Sequence, residues 1–414
     1  MTIHVIGAGL AGLSAAVALA AQGRPVCVYE AAMRAGGRCR SYVDPELQTM
    51  IDNGGHLILG ANHATFDLLD MIGSRHEVEG VVPAAFPFLD LETHESWALR
   101  PNAGPLPWWP FSPARRVPRT RIRDYGALIR MLAAGRSDTV ARLCSPESAL
   151  YRDLIAPLTT AVMNAAPEEA AARPMARVLR ETLLKGEAGC RPFIARTGLS
   201  SAFADPAIAF LARHGATVRF QRRLQRLVFA GDRVEAMEFP QGRVPLTKED
   251  AVILAVPSWS AAALVPGAMY PTESRGIVNA HFRLDGPARL PGGAPLLGLT
   301  GGTAQWLIAR HDVISVTISA ADALLDTPHT ALLPRLWNDV ATAIGRKGDP
   351  MPPARLIKER RATIAQTPAS ERLRPAARTR WRNLVLAGDW TATGLPATIE
   401  GAIRAGRTAA KALI

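Results

Sequence analysis

Apolar residues fall in short unbroken runs near the two ends and the middle of the chain, and in alternation elsewhere, and the two patterns predict different sheets. Ile3-His4-Val5-Ile6, Val26-Cys27-Val28-Tyr29, Ala251-Val252-Ile253-Leu254 and Leu384-Val385-Leu386-Ala387 are runs suited to strands covered on both faces. Between the first two, Leu10 to Ala21 forms an Ala- and Leu-rich helix that stops at Gly23. Phe86 to Leu99, Ile277 to Leu284 and Val313 to Ser319 alternate like strands with one covered face, while Asp153 to Lys185 and Ala331 to Ile344 read as helices. No apolar run reaches about 18 residues, so no membrane span is predicted.

The first strand runs directly into Gly7-Ala8-Gly9-Leu10-Ala11-Gly12, and the second ends at Glu30-Ala31. Strand, glycine loop, helix, strand and acid together form a dinucleotide fingerprint. Gly7 makes the tight turn, Gly9 lets backbone N–H groups approach a pyrophosphate, and Gly12 lets helix and strand pack closely, with the helix N-terminus facing the phosphates. Glu30 lies eighteen residues beyond Gly12, where a carboxylate would accept hydrogen bonds from a ribose diol. A glycine turn that merely packs is the competing reading, and the surrounding context argues against it. Val5 to Ala21 is not read as a secretory segment, because no Lys or Arg precedes it.

Further motifs favour FAD over NAD. Gly36-Gly37-Arg38 follows Glu30, Asp52-Asn53-Gly54-Gly55-His56 brings a second glycine pair, and Leu386-Ala387-Gly388-Asp389 leads to a loop and a helix opening near Thr398-Ile399. A flavin dinucleotide needs such an anchor far along the chain. Asp389 suits ribityl or phosphate-adjacent groups, and the helix start would direct its positive end at the pyrimidine edge of the flavin, where negative charge builds on reduction.

On these motifs, together with the segment from Gly215 to Pro257, the chain resembles the FAD-dependent amine oxidase and phytoene desaturase superfamily. The resemblance implies an α/β fold: a Rossmann-type FAD-binding domain, glutathione reductase/amine oxidase-like, with a second α+β substrate domain. It implies cofactor contacts at Gly7, Ala8, Gly9, Leu10, Ala11, Gly12, Glu30, Ala31, Gly37, Arg38, Gly54, Gly55, His56, Leu224, Val256, Gly388, Asp389, Thr398 and Ile399. Amine oxidation is disfavoured: Asn279 stands where amine oxidases carry a Lys, and Thr398 where their cage has a Tyr. No Cys follows Gly388, so the FAD is expected to be non-covalent.

A closer resemblance is to the hydroxysqualene dehydroxylase family of hopanoid and squalene biosynthesis. It rests on Asp52 to Gly60, Pro157-Leu158 to Ala170, Gly301-Gly302-Thr303-Ala304-Gln305-Trp306, Lys358 to Thr363 and Ala387 through Ala402, and departs at Gly55, where that family more often has Gln. The resemblance implies reduction of an apolar thirty-carbon allylic alcohol by reduced FAD. A general acid must protonate the leaving hydroxyl, and a dry apolar site must exclude water. His56 is the candidate acid, with a hydrogen bond to cofactor or backbone as the alternative. Asn279, Trp306 and Trp390 are candidates to line the substrate cavity. Glu400 is expected to cap, or to pair with Arg38 or Arg404, and Asp52 to be structural. Other functions left open are an FAD-dependent polyprenoid desaturase and a non-catalytic isoprenoid escort. No second nucleotide fingerprint is present, which makes a separate flavin reductase a candidate source of electrons.

Motifs at both ends and in the middle require a discontinuous FAD domain, placed at 1–85, 190–265 and 375–414, with the substrate domain at 86–189 and 266–374. The chain has 414 residues, 48% of them apolar, which excludes disorder, and Cys27, Cys39, Cys144 and Cys190 have no spacing that suggests a metal or redox pair. No metal is expected, and the cytoplasm fits. The net charge of +12 suggests a polyanionic partner, yet only five of the 48 basic residues are Lys, and a GC-rich coding sequence also yields Arg. No base-reading module appears, so nucleic acid is not expected. At 105–135, Trp108, Trp109 and Phe111 precede Arg115, Arg116, Arg119, Arg121 and Arg123 and a short amphipathic stretch to Leu132. This segment is expected either to dock on an anionic membrane, placing the protein peripherally on the inner face of the cytoplasmic membrane, or to cover the substrate cavity.

Overall fold

Three distant stretches of chain build one parallel sheet, ordered Thr217–Arg219, Val26–Tyr29, Ile3–Ile6, Ala251–Leu254 and Leu384–Leu386, in a computed structural model that describes residues 1–104 and 106–414. Pro105, the first residue of the 105–135 segment, lies outside the described residues. The inner strands are buried along their whole length, which is why their sequences run apolar instead of alternating. Helix Leu10–Ala20 covers the sheet, and helix Ile399–Lys411 lies against it. A Cβ at Gly406 would come within 2.1 Å of the Ala11 carbonyl oxygen, so glycine permits this approach, and Ser14 Oγ donates to the Ile403 carbonyl at 3.1 Å. The strands of this sheet all fall within 1–85, 190–265 and 375–414.

A second sheet has seven strands, ordered Ala354–Ile364, Ser274–Arg283, Val313–Ile318, Trp306–Arg310, Leu296–Thr300, Phe86–Asp90 and Ser96–Leu99. Its neighbours run antiparallel except for the parallel pair Leu296–Thr300 and Phe86–Asp90. Val278, Ala280 and Phe282 face an apolar core shared with Leu332, Leu336 and Val340 of helix His329–Ala343. Strand alternation turns Asn279, His281 and Arg283 to the opposite face. There Asn279 Nδ2 donates to the Asn53 carbonyl at 3.3 Å, and Arg283 Nη1 to the Leu47 carbonyl at 2.7 Å. One face of this sheet is therefore sealed by a helix, and the other is polar and meets the nucleotide-binding domain.

The helices between Trp109 and Cys190 form a lobe around their own core, which includes Trp109, Tyr125, Met131, Leu154, Met163 and Met175. The region read from sequence as one substrate domain thus has two cores. Among the described residues no helix is long and apolar enough to cross a membrane.

Candidate active site

The glycine loop is built as its spacing implies. Gly7 has φ +105°, and a Cβ there would lie 2.5 Å from the Ala255 carbonyl oxygen; one at Gly12 would lie 1.9 Å from that of Gly7. At Gly9 no protein atom lies within 4 Å of the Cβ position. Helix Leu10–Ala20 begins there without a side-chain cap, so the N–H groups of its first turn remain for an anion. The Gly36 N–H donates to the Ala8 carbonyl at 2.8 Å, and Gly37, with φ +60°, sits against Gly9. Glu30 accepts from the Ala8 N–H at 2.7 Å and the Ala32 N–H at 2.8 Å, which fixes its carboxylate at the carboxyl end of the sheet beside exposed Ala31. The Arg222 N–H donates to the Glu30 carbonyl at 2.8 Å, bringing the loop with buried Leu224 alongside. An open glycine facing uncapped helix N–H groups, with a carboxylate beyond, fits the pyrophosphate and ribose of FAD.

The C-terminal motif closes the other side. Asp389 is buried and pairs with Arg38 at 2.7 Å, and Arg38 also donates to the Ala362 carbonyl. Thr398 caps the last helix by accepting from the Gly401 N–H at 3.2 Å, with Ile399 as its first residue. Glu400 caps a different helix, His63–Ile72. It accepts from the N–H groups of Ala64 and Thr65 at 3.1 and 2.9 Å and from the Thr65 hydroxyl at 2.6 Å, and it pairs with Arg404 at 2.7 Å. Of the two arginines expected for Glu400, Arg404 takes it, and Arg38 belongs to Asp389.

The Asn53-to-His56 loop lies on the polar face of the seven-stranded sheet. A Cβ at Gly55 would meet the Thr317 hydroxyl at 2.6 Å, so Thr317 stands where a larger residue at 55 would project. His56 Nδ1 lies 2.8 Å from the Gly54 carbonyl, which makes Nδ1 the protonated nitrogen and leaves Nε2 to exchange protons. Burial holds this imidazole below its ordinary pKa, partly offset by the Gly54 carbonyl and the Asp52 carboxylate. Asp52 is structural, as its position beside the glycines implied: it accepts from Ser41 Oγ at 2.6 Å and the Leu199 N–H at 3.0 Å and pairs with Arg310 at 2.7 Å. Asp52, Gly55, His56, His281, Arg310 and Ser315 together line a small cavity.

Two expected cavity residues are placed elsewhere. Trp390 is 1% exposed, donates Nε1 to the Val256 carbonyl at 2.8 Å and packs edge-on against Tyr270, so it belongs to the core beside the sheet. Asn279 is equally buried, its amide committed to the Asn53 carbonyl and the Thr317 hydroxyl, and it holds the glycine loop instead of facing a substrate. Trp306 is partly exposed and meets Phe88 edge-on at 5.3 Å, and Phe88 in turn stacks on Trp97 at 4.5 Å. Sequence reading passed over His281, whose signal is a lone His on the same strand face as Asn279, two residues on.

The 105–135 segment is two-sided. Trp109, grouped by sequence with the outward aromatics, is 1% exposed and packs edge-on against Tyr125 at 5.4 Å, inside the helical lobe. Leu106, Trp108, Phe111, Ile122 and Ile129 face outward, and the Arg115 guanidinium lies over the Trp108 ring at 5.1 Å. Arg119 is engaged by Glu95 and Asp153 at 2.9 and 3.4 Å.

Comparison with known proteins bears on these features. The description "Flavin containing amine oxidoreductase" matches residues 10–414. A hydroxysqualene dehydroxylase from Sinorhizobium fredii is 46% identical over 408 residues, 99% of this chain and 97% of that one. One from Rhodopseudomonas palustris is 46% identical over 410 residues with the same coverage. A zeta-carotene desaturase from Synechocystis is 35% identical over 78 residues, 19% of this chain and 16% of its own. Among solved structures, cyclohexylamine oxidase from Brevibacterium oxydans superposes with a TM-score of 0.72 at 16% identity, covering 100% of this chain and 98% of that one, a likeness of fold.

Proposed function

This chain belongs to the flavin-containing amine oxidoreductases and, within them, to the hydroxysqualene dehydroxylases, and from that premise we propose that it reduces hydroxysqualene to squalene. The observation that carries the reading is extent: likeness to hydroxysqualene dehydroxylases runs through 99% of the chain, whereas likeness to the Synechocystis carotenoid desaturase covers 19% of it. Bound and reduced FAD supplies the hydride that replaces the hydroxyl. The carbon–oxygen bond breaks, and the oxygen departs as water with a proton from the protein. His56 gives that proton from Nε2, its ring oriented through Nδ1 by the Gly54 carbonyl. The partly exposed Trp306 and Trp97, packed around buried Phe88, offer an aromatic wall against which an isoprenoid chain excludes water.

The absence of Cys beyond Gly388 supports non-covalent FAD, and a separate reductase supplies its electrons. The outward Leu106, Trp108, Phe111, Ile122 and Ile129, with Arg115, Arg121 and Arg123 among them, support peripheral docking on the anionic inner face of the cytoplasmic membrane, where a thirty-carbon substrate resides. The decisive experiment adds hydroxysqualene to anaerobically reduced protein. Squalene with stoichiometric flavin reoxidation is expected, and the absence of both refutes the reading. Flavin reduction by a polyprenoid hydrocarbon added to oxidised protein would favour the desaturase instead.

A further inference from the structure

The cavity between the glycine loop and the seven-stranded sheet contains a group that the fold does not account for. His281 is 1% exposed in the middle of strand Ser274–Arg283. Its Nδ1 meets Ser315 Oγ at 2.8 Å, while its buried Nε2 makes no hydrogen bond of good geometry, although the Asp52 backbone carbonyl approaches the ring. Its neighbours on the same strand face are committed, Asn279 to the glycine loop and Arg283 to Asp312 and the Leu47 carbonyl. Asp52 and Arg310, which share the cavity, are paired with each other. A buried polar atom without a partner is rare, and an apolar side chain would suit a core strand better.

His56, on the opposite wall, has the complementary need. With Nδ1 held by the Gly54 carbonyl, its proton must leave and return at Nε2, and the ring is only partly exposed. We propose that His281 is the positioning residue of an internal proton relay: its Nε2 holds a water in this cavity, and through that water His56 Nε2 is reprotonated after each turnover. In each cycle His56 loses one proton to the departing hydroxyl. The held water gives one proton to His56 and regains one through the His281 ring, which draws it from the side of the partly exposed Ser315. No electron moves in these transfers.

Burial holds His281 well below the ordinary imidazole range, at about 4, so near neutrality it is uncharged and able to accept at one nitrogen while donating at the other. The charged groups that act on the two rings are Asp52, Asp44 and Arg310 at His281, and Asp52 and Arg38 at His56. The loss of a proton by His56 in this cycle rests on the dehydroxylase reading, whereas the water held between the two rings rests on the cavity alone.

The test uses FAD-loaded protein and 15N NMR of the histidine rings in the parent, His281→Leu and Ser315→Ala. With His281→Leu, the His56 titration midpoint is expected to move by about half a pH unit or more. FAD content should stay level and KM within about twofold, while repeated turnover of hydroxysqualene with excess dithionite falls about tenfold and its pH profile shifts, and the first turnover of pre-reduced protein stays close to parental. An unchanged His56 titration together with an unchanged pH profile overturns the relay. Should His281→Leu not retain FAD, Ser315→Ala carries the same test through the other ring nitrogen. A His56 titration that shifts with His281→Leu, while the parent makes no squalene, keeps the water link between the rings and sinks the dehydroxylase reading, so the two fail separately.

Discussion

Arg38 and Asp389 are 351 positions apart in sequence and 2.7 Å apart in space. The pair ties the glycine turn behind the first nucleotide loop to the strand end of the C-terminal motif. Arg38→Ala strands a buried carboxylate, a change that costs roughly 3–5 kcal/mol where both partners are fully enclosed. The Arg38 side chain is 40% exposed, so water compensates in part and about 1–3 kcal/mol is expected. Thermal melts should show the loss, and flavin fluorescence on dilution should show earlier release of FAD. Arg38→Lys should restore little, because one ammonium cannot reproduce the forked contact with Asp389 and the Ala362 carbonyl.

Gly9 and Gly12 separate cofactor binding from folding. At Gly12 an added methyl collides with the Gly7 carbonyl, whereas at Gly9 it meets no protein atom within 4 Å. Gly12→Ala is expected to lower the yield of folded protein. Gly9→Ala is expected to fold with an unchanged apo melting temperature yet bind FAD at least about tenfold more weakly, since its methyl occupies the approach to the helix N–H groups. Titration of both apoproteins with FAD decides the matter, and parental affinity in Gly9→Ala would remove that loop from the cofactor site.

Acid should destabilise the protein well above the carboxylate range. His281 titrates at about 4 in the fold against an ordinary 6.5, so between those values the unfolded chain binds more protons than the folded one. Its stabilising contribution is complete above pH 6.5 and is lost as pH falls towards 4, up to a limit of about 3 kcal/mol. His4 and His56, also depressed mainly by burial, act in the same direction. Melts across this window should show the decline, and His281→Leu should flatten it.

Adjacent tryptophans should give opposite results. Trp108 is 48% exposed and Trp109 is 1%. Trp108→Ser combined with Phe111→Ser is expected to reduce sedimentation with anionic liposomes while leaving the melting temperature within about 2 °C. Trp109→Ala removes a core aromatic, at a cost of about 3–5 kcal/mol, and should unfold the lobe before it affects lipid binding. Full sedimentation of the Trp108/Phe111 variant would refute docking at this face.

Where one local rule decides a position, the sequence was legible. Gly7, Gly9 and Gly12 report backbone clearance, and the strands at 3–6, 26–29, 251–254 and 384–386 report burial on both faces. The strands Leu296–Thr300, Trp306–Arg310 and Ala354–Ile364 were not read, because Gly301-Gly302 and Lys358-Glu359-Arg360-Arg361 interrupt the apolar pattern of a sheet with one polar face. Trp109 and Trp390 misled because an aromatic residue carries no mark of which side of a loop it will occupy. The lone His281 carried little weight for another reason: its significance lies in Ser315, Asp52 and His56, which share its cavity and come from two other parts of the chain.

The close approach at Gly406 sets an order of events. Helix Leu10–Ala20 is translated long before the edge strand Leu384–Leu386 and the helix that covers it. Until then the nucleotide loop has its glycines but neither its outer wall nor the partner of Arg38. Flavin capture therefore waits for helix Ile399–Lys411, and removal of that helix is expected to cost the cofactor while leaving every strand of the substrate sheet in place.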